Sequence, residues 1–187
     1  MILKNILTTS ALLLDDPELA KAISVGSSAD ATIQEKINLL IECANQINSL
    51  IATDYIYLFD TVAITTTGKY PLSRLSNNDI ADIASVKDAI GNEVSFSVEG
   101  QQLCTISGNF NVKFAYYPPK LTTLTQVIDD YGHKINERIF AYGVVSEYLF
   151  IKGNIDDSQM WDSRFKQGIL GCIRPKRGRI IKERGWY

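Results

Sequence analysis

Two hydrophobic periods divide this chain, and the change between them constrains the fold more than any other feature. Residues 31–51 place apolar side chains three and four positions apart, which is the spacing of one helical face. Residues 55–117 instead form short runs rich in Val, Ile, Thr, Tyr and Phe, divided by Gly, Asn, Asp and Pro. Helical spacing returns over about residues 131–170. This order predicts an α+β fold: a helical bundle with an inserted antiparallel β-module and an extended C-terminal tail.

The N-terminal helical region is predicted over about residues 16–51. Asp16 offers an N-cap, and Pro17 stands at the first helical position. The apolar stripe of the second helix consists of Ile33, Ile37, Leu40, Ile41, Ala44, Ile47, Leu50 and Ile51. The opposite side is expected to carry Gln34, Glu35, Asn38, Glu42, Asn45 and Asn48. The stripe could face the domain's own core or a neighbouring subunit, and the sequence leaves both open.

The C-terminal helix pair is predicted from two helical segments separated by Gly153-Asn154. One face of the first segment consists of Ile135, Ile139, Tyr142, Val145, Ser146 and Leu149. The second segment contains Trp161 and Phe165, and Asp156 or Asp157 can cap it.

The β-module is predicted over about residues 55–119. Apolar and polar side chains alternate in 94–98 and 112–116, which indicates a sheet with one packed face, as in a small sandwich or partial barrel. Segments 88–92 and 107–109 have the composition of hairpin connections. The candidate strands are Tyr55–Phe59, Val62–Thr66, Ile80–Lys87, Glu93–Val98, Gln102–Ile106 and Val112–Tyr117.

The basic and aromatic residues 174–187 are predicted to form a tail on a single domain of residues 1–173. The tail holds six of the 19 Lys and Arg residues and one of the 21 Asp and Glu residues, so the remainder holds 13 and 20. Too little of the tail is apolar for it to fold alone, and a frayed terminus is the plain alternative to docking. A protein groove is favoured over nucleic acid, because Trp, Tyr and Arg dominate protein–protein contacts. The residues expected to dock are Arg174, Lys176, Arg177, Arg179, Ile180, Ile181, Lys182, Arg184, Trp186 and Tyr187.

No motif for catalysis, a cofactor or a metal site stands out, so the chain is expected not to be an enzyme. Every His-based triad would have to use the one histidine, His133, which is expected to be a cap or a surface residue. The three cysteines are far apart and are expected to be reduced thiols. The pairs Asp15-Asp16, Asp129-Asp130 and Asp156-Asp157 are expected at helix starts, where the helix dipole favours carboxylates. No membrane partner is expected, since no apolar run reaches roughly 20 residues, and the start lacks the order of a signal peptide.

From Val112 to Tyr187 the order of features resembles the head-to-tail connector (adaptor) proteins of tailed bacteriophages. A sheet ends in Lys113-Phe114-Ala115-Tyr116-Tyr117-Pro118-Pro119, and a long helix carries Glu137-Arg138-Ile139-Phe140-Ala141-Tyr142-Gly143-Val144-Val145-Ser146-Glu147-Tyr148. A Gly-Asn break, the short helix Gln159-Met160-Trp161-Asp162-Ser163-Arg164-Phe165-Lys166 and the ending Lys182-Glu183-Arg184-Gly185-Trp186-Tyr187 follow. An N-terminal helix that leads directly into a β-module also matches.

The resemblance implies a structural virion protein of the phage neck. Such proteins form rings, commonly of about twelve copies, under the portal of a DNA-filled capsid. It implies that the tail docks on the portal protein, that a downstream tail or neck protein binds the other side, and that genomic DNA passes through the ring. It further implies a place in the neck or tail region of the virion, and in the host cytoplasm during assembly.

Carried over to this sequence, the resemblance makes Arg184, Trp186 and Tyr187 the anchors of the tail. Family tails often read Arg-Arg-Trp at this point, whereas Gly185 stands between Arg184 and Trp186 here. Candidates for the subunit interface are Ile33, Ile37, Ile41, Tyr142, Trp161 and Phe165. Two alternatives stay open: another neck component (a stopper or tail-completion protein), or a nucleic-acid-binding module that uses the basic tail.

Overall fold

The helices and strands follow the predicted order of helical, β and helical regions. The computed structural model describes residues 1–26, 30–129, 131–132 and 134–173. The helices are α1 (Leu3–Leu13), α2 (Pro17–Val25), α3 (Ala31–Leu50), α4 (Glu137–Ile151) and α5 (Ile155–Ile173). The strands are β1 (Leu58–Thr66), β2 (Lys69–Pro71), β3 (Ile80–Asp88), β4 (Ser97–Glu99), β5 (Gln102–Cys104) and β6 (Gly108–Tyr116). A π-helical turn, Ile51–Tyr55, joins α3 to the strands.

Helix α1 belongs to the helical core, where it packs against α2 and α4, although the sequence predicted helices only from about residue 16. Leu3, Ile6 and Leu7 are fully buried. No side chain caps this helix. Its first amides donate instead to the backbone carbonyls of residues 124 and 126 in a distant segment. A helix capped by remote backbone carries no local cap signal, which is why the sequence pattern did not reveal it.

Helices α2 and α3 are confirmed close to their predicted bounds. The Asp16 carboxylate accepts the amide of Leu19 at 3.0 Å, as the N-cap reading requires. Gly26 ends α2 at φ 94°, a left-handed conformation that glycine adopts at little cost. The apolar stripe of α3 is buried within the chain itself, so it faces the domain's own core.

The helix pair begins later and is packed more broadly than predicted. Helix α4 starts at Glu137 rather than near residue 131, because Asn136 caps it by accepting the amide of Ile139. Asp129 therefore lies in a turn before α4, where it accepts the amide of Tyr131, and not at a helix start. Helix α4 is buried on several sides, since α1, α3 and α5 all pack against it. Asp156 and Asp157 do lie in the first turn of α5.

Two antiparallel three-stranded sheets form the β-module, in the orders β1-β6-β3 and β2-β5-β4. The register of β1 with β6 runs without interruption from Leu58 opposite Tyr116 to Thr66 opposite Gly108. A second hydrophobic core forms on one face of the first sheet, and the second sheet adds Leu103 to it. Its buried residues are Ile64, Leu75, Ile83, Val86, Leu103, Phe110, Val112 and Phe114.

Three details of the predicted β-module are wrong. The predicted strands Tyr55–Phe59 and Val62–Thr66 are one strand, β1, and Tyr55 belongs to the π-helical turn before it. The 107–109 connection is not a hairpin, because it joins β5 in one sheet to β6 in the other. The alternating residues 94–98 bury little surface, since Phe96 and Val98 remain exposed. The alternation has the right period, but nothing in the sequence says that this run lies at a sheet edge.

Candidate functional site

The predicted docking tail begins where the last described helix ends. Helix α5 runs to Ile173, and all the predicted docking residues from Arg174 to Tyr187 lie outside the described residues. The same holds for His133 and Asp130. The last described helix, α5, is held in the helical core by Phe165 and Ile169, which are buried there.

Three of the six interface candidates are core residues of the chain itself. Ile37 is 2% exposed, Ile41 is buried, and Phe165 is 1% exposed with its ring edge-on to Tyr55 at a centroid distance of 6.3 Å. A side chain covered by its own chain offers almost no surface to a neighbour. These three residues therefore belong to the core of the chain itself and not to a subunit interface. Ile33 is half-buried and packs against the edge of the same core.

The other two candidates, Tyr142 and Trp161, are brought together at the surface. Their rings lie 5.3 Å apart between centroids, with α4 supplying the tyrosine and α5 the tryptophan. Both are half-buried. Such a pair stabilises the helix contact by about 0.5–1.5 kcal/mol beyond the area it buries.

An arginine lies over each ring of this pair. The Arg164 Cζ atom is 4.7 Å from the Trp161 centroid, and the Arg138 Cζ atom is 5.8 Å from the Tyr142 centroid. Both arginines are exposed. Stacking restrains the guanidinium groups while leaving N–H donors for an acidic or carbonyl-bearing partner. We call Arg138, Tyr142, Trp161 and Arg164 the Arg–aromatic surface; its composition is that of protein–protein hot spots.

A cleft lies between the helical core and the β-module. This cleft has a volume of about 850 Å³ and is lined largely by amide side chains and by the Tyr117–Lys120 segment. Its lining residues are Asn45, Gln46, Asn48, Ser49, Leu50, Asn77, Asn78, Asp79, Tyr117, Pro118, Pro119 and Lys120. The sequence pattern did not point to it.

Two amides that line the cleft are structural. The Asn45 side chain donates to the Leu121 carbonyl at 3.0 Å and accepts the Leu121 amide at 2.7 Å. The Asn48 side chain accepts the Tyr131 hydroxyl at 2.6 Å. Asn48 is buried and Asn45 half-buried, although both were predicted on the side of α3 opposite its apolar stripe. The amides thus hold the segment 121–131 against α3, and burial raises the pKa of Tyr131.

The shifted pKa values of Asp16 and Cys43 have structural causes. The Asp16 carboxylate lies 2.7 Å from the Lys36 ammonium, and that hydrogen bond, followed by the one from the Leu19 amide, lowers the pKa of Asp16. Burial raises the pKa of the Cys43 thiol to about 12, which makes it a poor nucleophile. Within the described ranges no cluster of three His, Cys, Asp or Glu side chains could hold a metal ion.

No helix among the described residues is long and apolar enough to cross a bilayer. Among the described residues, the candidate site is the Arg–aromatic surface; docking by residues 174–187 stays a prediction from the sequence. No protein-family model and no curated protein matches the chain.

Proposed function

We propose that this chain is a head-to-tail adaptor of a tailed bacteriophage. Copies of it would form a ring under the portal, bind the portal through residues 174–187 and contact a downstream neck or tail protein on the other side. The proposal rests on the resemblance over residues 112–187. The order of the described elements, with helices before and after an inserted β-module, is compatible with it.

The observation that carries the proposal is the composition of residues 174–187. They hold six basic residues and one acidic residue, and they end in Trp186 and Tyr187. Arg, Trp and Tyr are the residue types that dominate protein–protein contacts, so this composition suits a protein groove. The last described helix before them, α5, is held in the helical core by the buried Phe165 and Ile169.

The charge distribution is compatible with a DNA channel. Outside the tail the chain holds 13 basic and 20 acidic residues. A surplus of acidic groups around a channel repels phosphates, so DNA would pass without sticking. Reversing acidic residues at the inner surface of the assembled ring should slow DNA ejection; an unchanged ejection rate would argue against this role of charge.

Native mass spectrometry with the portal protein from the same genome tests the proposal. The full chain should add to the portal as a ring, and a variant that ends at Ile173 should stay folded but not bind. Trp186→Ala combined with Tyr187→Ala should weaken binding strongly. Tyr57→Ala is the matched control, because Tyr57 is an exposed aromatic on the connection to β1.

Three outcomes would refute the portal-docking adaptor. Binding of the shortened chain as tight as that of the full chain would remove the tail from the interface. Tight binding to duplex DNA that falls steeply with salt and ignores Trp186→Ala would favour the nucleic-acid module. Failure to bind the portal combined with binding to a preformed adaptor ring would identify a stopper.

A further inference from the structure

The two sheets of the β-module have four outer edges, and three of them are protected. Strand β3 has two register irregularities, and its far end is covered by a bridge from Lys87 to Glu93. Strand β2 is three residues long and ends in Pro71, which has no amide proton. Strand β4 is also three residues long and carries Glu99. Bulges, prolines, charges and short length are the usual means by which edge strands avoid further pairing.

The fourth edge, β1, has almost none of this protection. It is nine residues long and keeps a regular register with β6 throughout. Its sequence, Leu58-Phe59-Asp60-Thr61-Val62-Ala63-Ile64-Thr65-Thr66, holds one charged residue and no Gly or Pro. A long, regular edge of high β-propensity is a template for an added strand.

The backbone groups that point away from β6 can be assigned from one hydrogen bond. The amide of Thr61 donates to the Asp60 carboxylate at 2.7 Å, so it is turned outward and not toward β6. Because amide directions alternate along a strand, Phe59, Ala63 and Thr65 also turn theirs outward. All four residues are exposed. The outer edge of β1 therefore presents four amides and four carbonyls over seven residues, and only the Thr61 amide has a partner within the described chain.

We propose that β1 pairs with β1 of a second copy of this chain, antiparallel and centred on Val62. The argument for a second copy is length. Among the described edges, only another β1 has enough outward amides and carbonyls to match these four residues, since β2 and β4 are three residues long and β3 is irregular. Pairing about Val62 overlaps the whole strand and joins two three-stranded sheets into one.

The side chains that this register brings opposite each other are compatible with the pairing of two β1 strands. Phe59 lies opposite Thr65 of the second copy, Thr61 opposite Ala63, and Asp60 opposite Ile64, so no like charges face each other. The Thr61 amide must leave the Asp60 carboxylate before it can donate to the second copy. Asp60 is therefore the residue of β1 that opposes pairing. Asp60→Ala is therefore expected to tighten the pair. This contact is two-fold, whereas neighbours in a ring meet head to tail, so the β1 pair would form between free chains and not within the ring. This proposal and the adaptor proposal can therefore fail separately.

Cysteine cross-linking tests the register. The full chain with Cys104→Ser and Cys172→Ser keeps only the buried Cys43. Adding Val62→Cys places two thiols in a non-hydrogen-bonded pair across the two-fold axis, with Cα atoms roughly 4.5 Å apart, which suits a disulfide. Adding Thr61→Cys instead places them beyond about 7 Å. Mild oxidation should give a covalent dimer with Val62→Cys and not with Thr61→Cys; equal yields, or no dimer from Val62→Cys, would overturn the proposal.

Sedimentation over a concentration series tests the edge itself. Ala63→Pro removes one outward amide and leaves the ladder to β6 intact, so it should weaken the dimer by at least about tenfold while preserving the thermal unfolding midpoint. Val98→Lys, on the edge strand of the other sheet, is the matched control and should leave the dimer unchanged. A chain that stays monomeric at all concentrations, or a dimer that Ala63→Pro does not weaken, would refute the β1 pairing.

Discussion

Gly143 in α4 offers a sharp test of how the helical core is packed. A Cβ atom at this position would lie 3.0 Å from Ile47 Cγ2 and 3.0 Å from Phe165 Cδ2 and Cε2. Replacing glycine by alanine inside a helix stabilises it by about 1 kcal/mol through backbone entropy. Overpacking of a tight core costs about 1–3 kcal/mol. The Phe165 ring is fully buried and cannot easily move, so the cost of overpacking is expected to exceed the entropic gain. Gly143→Ala should therefore lower the free energy of unfolding by up to about 2 kcal/mol.

Two glycines in the neighbouring helix α5 provide reference values for the effect of Gly143→Ala on stability. A Cβ at Gly171 would meet nothing within 4 Å, so Gly171→Ala should raise the free energy of unfolding by about 0.5 kcal/mol. A Cβ at Gly168 would lie 3.1 Å from Ile139, a half-buried side chain that can shift, so Gly168→Ala should be close to neutral. Urea unfolding followed by circular dichroism measures all three. A Gly143→Ala variant as stable as Gly171→Ala would refute the close approach of α3, α4 and α5.

Three further results are expected. Asn45→Ala should lower the free energy of unfolding in urea by about 2–3 kcal/mol, because the Leu121 backbone groups that Asn45 binds are left without partners. Asn38→Ala, at an exposed position, should lower it little. Equal losses would contradict the role of Asn45 in holding this loop. The pKa of Asp16 is lowered, first by the hydrogen bond from Lys36, so the ionised carboxylate stabilises the folded chain above the unfolded pKa of 3.8. This stabilisation is lost as the pH falls through the folded pKa. Asp16→Asn, which can still cap the helix, should flatten the loss of stability as the pH falls below 3.8; an unchanged acid profile would remove Asp16 as its source. At neutral pH, iodoacetamide should label the two half-buried cysteines well before Cys43, as peptide mass spectrometry can show; early labelling of Cys43 would contradict its burial.

Helices with local end signals were predictable from the sequence. Asp16 and Gly26 mark the ends of α2, and the stripe on α3 fixes which side is buried, because these signals act within one or two turns. Helix α1 lacks such signals, since its first amides bind the backbone of residues 124 and 126. The sequence order alone could not place that partner.

The β-module and the surface were less predictable for a related reason. Alternation gives the period of a strand but not its neighbours, so the division of β5 and β6 between two sheets could not be read from it. Asn48 is polar yet buried, because its partner Tyr131 comes from far along the chain. Likewise, Tyr142 and Trp161 were each singled out, but only the packing of α4 on α5 brings them together. The predictions for the tail stay predictions.

The contact between α1 and the segment 124–128 also sets the order in which the chain can fold during synthesis. The Met1 nitrogen donates to the Ile128 carbonyl, and the Leu3 amide to the Gln126 carbonyl, so the helices made first must wait for residues made much later. The β-module, in contrast, is contiguous between β1 and β6 and can pair as soon as it leaves the ribosome. The inserted part is thus expected to become native before the helical core, whose helices flank it in the sequence; this reverses the usual N-to-C order of folding during translation.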